Sequence, residues 1–332
     1  MSLPTKQSGL ATAENGTEAE GGLSPLDERA IAYAEASLAD ATKRTYTKEW
    51  GAFVDWCRAR TPEVSPLPAA PQTVARYITH LADAGRKAAG IDLVLAAIGA
   101  AHRTAGLRSP RGDGRVHAVR QGIRRSIGTK QAKKTPAVVE DLRAVLEALP
   151  DGNPRLALRD QALLLIGFIG AFRRSELVGL DLERLTRTND GLIVELGRTK
   201  TDQEGKGRVV AIPPARHPEL CPIAALEAWL SAAGIREGAV FRGVDRHGNV
   251  RPKRLSTQAV ANVIKRSVER VGLDPRQFSG HSLRSGFITA AALAGKSEDV
   301  IRNHTGHKSV LQVREYVRLA DPWRDNAADG LL

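Results

Sequence analysis

Cysteine is nearly absent. Cys57 and Cys221 are the only two in 332 residues, they lie far apart, and neither sits in a C-x-x-C pair. That excludes a disulfide framework and a cysteine-rich zinc site, and it fits a reducing compartment. No apolar run approaches the roughly 18 residues that a membrane-spanning helix needs. The longest, Ala162 to Phe172, suits a buried core helix instead. The N-terminus has no basic stretch followed by an apolar one, so a secretory leader is not expected. A cytoplasmic protein with no membrane partner is the expectation. Aromatic residues are also scarce, and only four are tyrosines: Tyr33, Tyr46, Tyr77 and Tyr316.

Acidic residues are in deficit. Thirty-seven Asp and Glu face 49 Lys and Arg, a formal charge of +12. Such a surplus points to a polyanionic partner, of which nucleic acid is the commonest. A hydrophobic content of 42% is enough for ordinary cores, and the length suggests two domains.

Residues 1–24 are rich in Gly, Ser, Thr, Ala and Glu without periodicity and read as a flexible tail. Residues 25–128 read as a bundle of four or five short helices. Ala30, Ile31, Ala34 and Leu38 form one apolar stripe; Tyr46, Trp50, Phe53, Val54 and Cys57 form a second. Val74, Tyr77, Ile78 and Leu81 follow Pro71, a helix-start signal, and further stripes run through Leu93–Ala101 and Val116–Ile123. The polar faces carry Lys43, Arg44, Lys48, Arg86, Lys87, Arg103, Arg108, Arg120, Arg124 and Arg125, as solvated faces or as contacts to phosphate. Residues 129–136 lack an apolar period. With Lys130, Lys133, Lys134 and Pro136 they read as a linker able to follow a DNA backbone. Residues 137–319 are mixed. Helices are expected over Val138–Leu149, Leu156–Ile169, Pro222–Ala233, Thr257–Val271, His281–Ala294 and Val310–Leu319. Leu192–Leu196 and Arg208–Ile212 read as strands joined by a charged, Gly-containing hairpin. The fold class is therefore mainly α, with a small antiparallel β-sheet in the C-terminal domain. Residues 320–332 form a tail with Trp323, Leu331 and Leu332 as apolar anchors, either on its own domain or on a neighbouring protomer.

Several short patterns carry chemistry. His281 and Arg284, three apart on a helix, share a face between Gly280 and Gly286. Arg173 and Glu176 have the same spacing, so the carboxylate can hold the guanidinium, or the two can form an ordinary surface pair. Lys200 follows the first strand and can reach a site from the hairpin. His304 and His307 form H-x-x-H, but with neither H-E-x-x-H nor C-x-x-C nearby the metal reading is set aside. Tyr316 lies nine residues beyond His307.

Taken in order, Arg173-x-Ser-Glu-Leu, Lys200, His281-x-Leu-Arg284, Gly306-His307 and Tyr316 resemble the tyrosine recombinases, the phage-integrase-type enzymes. The segment from Ser279 to Gly286 is more similar to Cre-type members, and His307 to the Xer type. The resemblance implies a two-domain clamp on duplex DNA, with residues 25–128 as a helical, SAM-like core-binding domain and residues 137–319 as the catalytic domain. It implies that Arg173 and Arg284 grip the scissile phosphate and that Tyr316 attacks phosphorus. Lys200 would protonate the leaving oxygen, His281 take or orient the tyrosine proton, His307 donate to the phosphate and Glu176 orient Arg173. Arg174 and Lys206 are the alternatives to Arg173 and Lys200; spacing from Ser175 and Glu176 favours Arg173, and the mid-loop position of Lys206 favours Lys200. Neither cofactor nor metal is implied. The partners implied are double-stranded DNA with an inverted-repeat target and three further copies of the chain, at the nucleoid. The alternatives are a type IB topoisomerase or telomere resolvase with the same chemistry, and a DNA-binding or transposition-accessory protein that exchanges no strands.

Overall fold

The computed structural model describes residues 26, 29, 33, 38–129, 135–137, 139–149, 152–197 and 207–320. The chain divides into two compact units, Met1–Ala132 and Lys133–Leu332. The stripe residues Ala30, Ile31 and Ala34, the lysines Lys130, Lys133 and Lys134, the candidates Lys200 and Lys206, and the tail anchors lie outside the described residues.

The first unit includes the α-helices α1 (Asp40–Arg58), α2 (Pro71–Asp83), α3 (Ala88–Thr104) and α4 (Gly114–Ile127). Pro71 opens α2 at a position where a missing N–H costs nothing. Asp113 caps α4 by accepting from Arg115 N at 2.9 Å. The apolar stripes meet in one core of Trp50, Phe53, Cys57, Val74, Tyr77, Ile78, Ile91, Leu95, Ile98 and Val116. His102 is buried in it and satisfied on both ring nitrogens: Nε2 accepts from Ala69 N at 2.9 Å, and Nδ1 donates to Ile98 O at 2.8 Å.

The second unit is built on α6 (Pro154–Ile169), whose Asn153 cap accepts from Leu156 N at 3.1 Å. Residues Ala162 to Ile166 of this helix are all buried, which explains their unbroken apolar run. Around it stand α5 (Val139–Glu147), the short α7 (Arg174–Val178), α8 (Pro222–Ala233), α9 (Thr257–Arg270) and α10 (Ser282–Leu293). α11 (Glu298–Thr305) and α12 (Val310–Ala320) complete it. Trp229 of α8 is fully buried and donates its indole N–H to Val240 O at 2.9 Å. Antiparallel strands β1 (Leu185–Thr188), β2 (Gly191–Leu196) and β3 (Arg208–Ile212) form a sheet in that order, with Leu192 opposite Ile212. A separate hairpin pairs β4 (Arg242–Val244) with β5 (Val250–Arg254).

Three features differ from the sequence expectation. β1, β4 and β5 were not anticipated: each is short and largely polar, without the period-two alternation of a half-buried strand. α11 spans only eight residues, yet Ser297 caps it and Glu298 and Asp299 fill its first turn. The boundary between units falls inside the expected linker, and the end of that linker belongs to the second unit. Thr135 N donates to Gln277 O at 2.9 Å and Ala137 N to Ser282 O at 3.1 Å.

That docking explains Gly286. A Cβ there would stand 1.8 Å from the Ala137 carbonyl oxygen. Gly122 in α4 has nothing within 4 Å of the same position. Gly286→Ala is expected to destabilise the protein by roughly 1–3 kcal/mol through overpacking. Gly122→Ala is expected to stabilise it by roughly 0.5–1 kcal/mol. Urea unfolding checks both, and equal midpoints for the two variants would contradict the packing argument.

Candidate active site

The turn after α6 sets the first part of the site. Ala171 has φ 47°, a left-handed conformation that costs a side-chain-bearing residue roughly 1–2 kcal/mol. Its carbonyl accepts from Arg284 Nη1 at 2.6 Å. Arg173 then precedes α7, and Glu176 in the first turn reaches back to it. Glu176 Oε2 accepts from Arg173 N at 2.9 Å, and Oε1 accepts from Arg173 Nη1 at 2.5 Å. The Glu176 side chain is only 2% exposed, so this is an enclosed pair rather than a surface one.

A third arginine, absent from the expected set, shares that carboxylate. Arg208 opens β3, donates Nη2 to Glu176 Oε2 at 3.3 Å, and donates Nη1 to the His304 carbonyl at the end of α11. Gly306 ends α11 in a left-handed conformation at φ 66°, and its bare Cα lets the Arg208 side chain lie against the turn. In sequence, a strand-opening arginine beside a hairpin gives no sign of this.

Arg284, in the first turn of α10, has no exposed surface. Its Nη2 lies 3.3 Å from both ring nitrogens of His307, and its Nε has no hydrogen-bond partner among the described residues. Burial, then the charge of Arg173, lowers its pKa to about 9, so it stays charged at neutral pH. His307 is brought to it by the Gly306 turn. Burial, then Arg284, presses the His307 pKa down to about 3, which leaves the ring neutral. Thr305 fixes the tautomer of that neutral ring. Its Oγ1 is 2.7 Å from Ile301 O and 2.6 Å from His307 Nδ1. The single hydroxyl proton goes to the carbonyl, which can only accept, so Nδ1 carries the ring proton and donates to Oγ1.

His281 immediately precedes α10, and its Nε2 lies 2.9 Å from Tyr316 Oη. Partial burial, then Arg284, Arg173 and Arg174, lowers the His281 pKa, so a neutral imidazole faces the phenol. Tyr316 is carried by α12, which packs through Val313 and Val317 on Ile288, Ala292 and Ile301. His304, in contrast, stacks on Phe287 at 4.6 Å and donates Nε2–H to Ile169 O at 2.8 Å, a structural role.

Arg173, Glu176, His281, Arg284, His307 and Tyr316 thus come together in one unit. Of the residues expected at DNA in the first unit, Arg44, Lys48, Lys87 and Arg125 are exposed. Arg86 pairs with the buried Glu49 at 2.7 Å, Arg124 pairs with Asp92 at 2.8 Å, and Lys43 stands 3.9 Å from Asp40. Arg86 and Arg124 therefore brace the bundle. Among the described residues no helix is long and apolar enough to cross a membrane.

A mainly helical unit with a small antiparallel sheet, carrying this residue set, defines a tyrosine-type site-specific DNA recombinase, a strand-transferring enzyme. Residues 135–322 match the model of the phage integrase family, and the chain belongs to that family. It is 41% identical over 300 residues to an integrase/recombinase of Selenomonas ruminantium described as a xerD homologue, covering 90% of this chain and 87% of that one. It is 25% identical over 291 residues to the Cre recombinase of Escherichia phage P1, covering 82% of each. In fold it is similar to a DNA-bound lambda integrase fragment, with a TM-score of 0.59 at 16% identity over 88% of this chain and 95% of the fragment.

Two outcomes follow. Arg208→Ala should cost roughly 1–3 kcal/mol, because Glu176 keeps one guanidinium fewer and the His304 carbonyl loses its donor. Chemical denaturation checks this. His307 is neutral in the native state down to about pH 3 but binds a proton below about 6.5 when unfolded. The unfolded state therefore binds more protons between those values, and stability falls as pH drops through that window. His307→Gln should make this fall shallower in urea titrations at stepped pH; an unchanged slope would contradict the assignment.

Proposed function

We propose that this chain cuts and rejoins duplex DNA through a covalent link between Tyr316 and the 3′ phosphate at the break. The observation that carries the reading is the 2.9 Å contact between Tyr316 Oη and His281 Nε2, beside Arg284 and Arg173. A phenol with a pKa near 10 is a poor nucleophile at neutral pH, so attack needs a base and strong stabilisation of charge. His281 takes the phenolic proton on Nε2 as the tyrosine oxygen bonds to phosphorus. The bond from phosphorus to the 5′ oxygen breaks, and Lys200 supplies the proton that this oxygen takes up. Arg173 and Arg284 hold the non-bridging oxygens, a role that suits a guanidinium because it stays charged and is rigid.

Three guanidiniums, Arg173, Arg208 and Arg284, act on one carboxylate, Glu176, and a phosphodiester anion neutralises part of that excess. His307 completes the cradle. With Nδ1 committed to Thr305, its Nε2 donates to phosphate only as the imidazolium, so a nearby phosphate raises its affinity for a proton. The covalent link keeps the energy of the phosphodiester. Attack by the 5′ hydroxyl of another strand therefore reseals DNA without an external energy source.

The target is duplex DNA with an inverted repeat, one protomer on each half. Two such duplexes and four copies of the chain exchange strands through a Holliday junction. The first unit adds phosphate contacts from Arg44, Lys48, Lys87 and Arg125, with Lys130, Lys133 and Lys134 continuing along the backbone.

The test is a nicked suicide substrate carrying the target site. Wild-type protein is expected to form a covalent 3′ adduct, and Tyr316→Phe none. Arg173→Ala and Arg284→Ala should each slow adduct formation by roughly 10²–10³-fold, the usual effect of losing one donor to a developing anion. An adduct that survives Tyr316→Phe sinks the assignment.

A further inference from the structure

Beside the tyrosine site, the second unit carries an open polar cleft of about 310 Å³. It shares Arg173 and His281 with that site, and Arg174, Ser175, Thr257 and Ser279 supply its other polar walls. Two arginines and three hydroxyl-bearing residues line it, and no acidic residue does. That is the chemistry of an anion site. Ser279 Oγ accepts from His281 N at 3.2 Å, which leaves its hydroxyl hydrogen to donate outward.

Arg173 and Arg174 adjoin in sequence but are used differently. Arg173 is held by Glu176, whereas Arg174 is exposed and makes no ion pair among the described residues. Its stem nevertheless has a fixed bed. A Cβ on Gly280 would stand 1.9 Å from Arg174 Cδ and 2.3 Å from its Cγ. Gly280 is not among the residues with positive φ, so its backbone does not call for glycine. What glycine supplies here is room for the Arg174 side chain.

We propose that this cleft binds the DNA backbone phosphate next to the scissile one, with Arg174 as its guanidinium contact and the hydroxyls of Ser175, Thr257 and Ser279 as further donors. Successive phosphates on one strand rise only about 3.4 Å along the duplex axis, so a surface that grips one must also meet its neighbour. Two adjoining sites fix the strand in register and present the correct phosphorus to Tyr316. The proposal rests on the phosphodiester reading of the tyrosine site.

The experiment uses the full chain and nicked suicide substrates in which one phosphate flanking the scissile position is a neutral methylphosphonate. On unmodified DNA, Arg174→Ala is expected to slow adduct formation about tenfold, the worth of one charge-assisted contact. Arg174→Lys should recover part of that loss. On wild-type protein, methylphosphonate at one of the two flanking positions should cost about the same. Combining the modified DNA with Arg174→Ala should cost little more than either change alone. Gly280→Ala should slow the wild-type protein but add little to Arg174→Ala, because the stem it displaces is already gone. A purely structural role for Arg174 would make the losses multiply, and that outcome, or full activity in Arg174→Ala, overturns the proposal. Absence of any adduct with wild-type protein on unmodified DNA would overturn the phosphodiester reading first and this site with it.

Discussion

One carboxylate organises the second unit. Glu176 is enclosed, and its two oxygens are divided between the backbone and side chain of Arg173 and the side chain of Arg208. Through Arg173 it fixes the turn after α6. Through Arg208 it reaches the start of β3 and the last turn of α11, which ends two residues before His307. A buried ion pair is rarely a net source of stability, because desolvation of both charges offsets their attraction. Its worth here is geometric. Three elements distant in sequence are held at one point, and removing Glu176 alone would strip Arg173 and Arg208 of the carboxylate they share.

The same arrangement sets the electrostatics. Arg173, Arg208 and Arg284 outnumber Glu176, and burial first, then repulsion from Arg173, lowers the pKa of Arg284 to about 9. The positive field and the partial burial of both rings act together on His281 and His307, holding each neutral. For His281 the consequence is direct, since a neutral imidazole can accept a proton from the phenol in contact with it. Positive charge is thus gathered at one place, and the imidazoles beside it are kept unprotonated by burial first and by that charge second.

Much of the candidate site was legible in the sequence because its members stand in order with distinctive neighbours, and spacing placed Arg173 with Glu176 and His281 with Arg284. The helical stripes of the first unit were equally plain, since amphipathic period survives without knowledge of the partner surface. What was hidden has a common physical cause. Arg208 matters through contacts made across 32 and 96 residues of chain, which local pattern does not encode. Strands β1, β4 and β5 are short and polar, and the left-handed backbone of Ala171 occurs at a residue that ordinarily avoids it. Arg86 and Arg124 show the same limit: their positions in sequence gave no sign of the carboxylates, Glu49 and Asp92, that stand beside them.

Tyr316 is held by a different kind of contact. Tyr316 belongs to a cluster of Ile288, Ala292, Ile301, Val313 and Val317, separate from the large core built on α6, α8 and the sheet. Apolar burial is non-directional and grows with area, so this small cluster secures α12 with far less free energy than the main core gives α6. Local opening follows such differences, and segments with few buried apolar contacts open before the rest. Arg173 follows the turn after α6, within the main core, while Tyr316 sits on a helix secured by the smaller cluster. That division suits an enzyme that must hold a phosphate in place while its nucleophile becomes bonded to DNA and is later released.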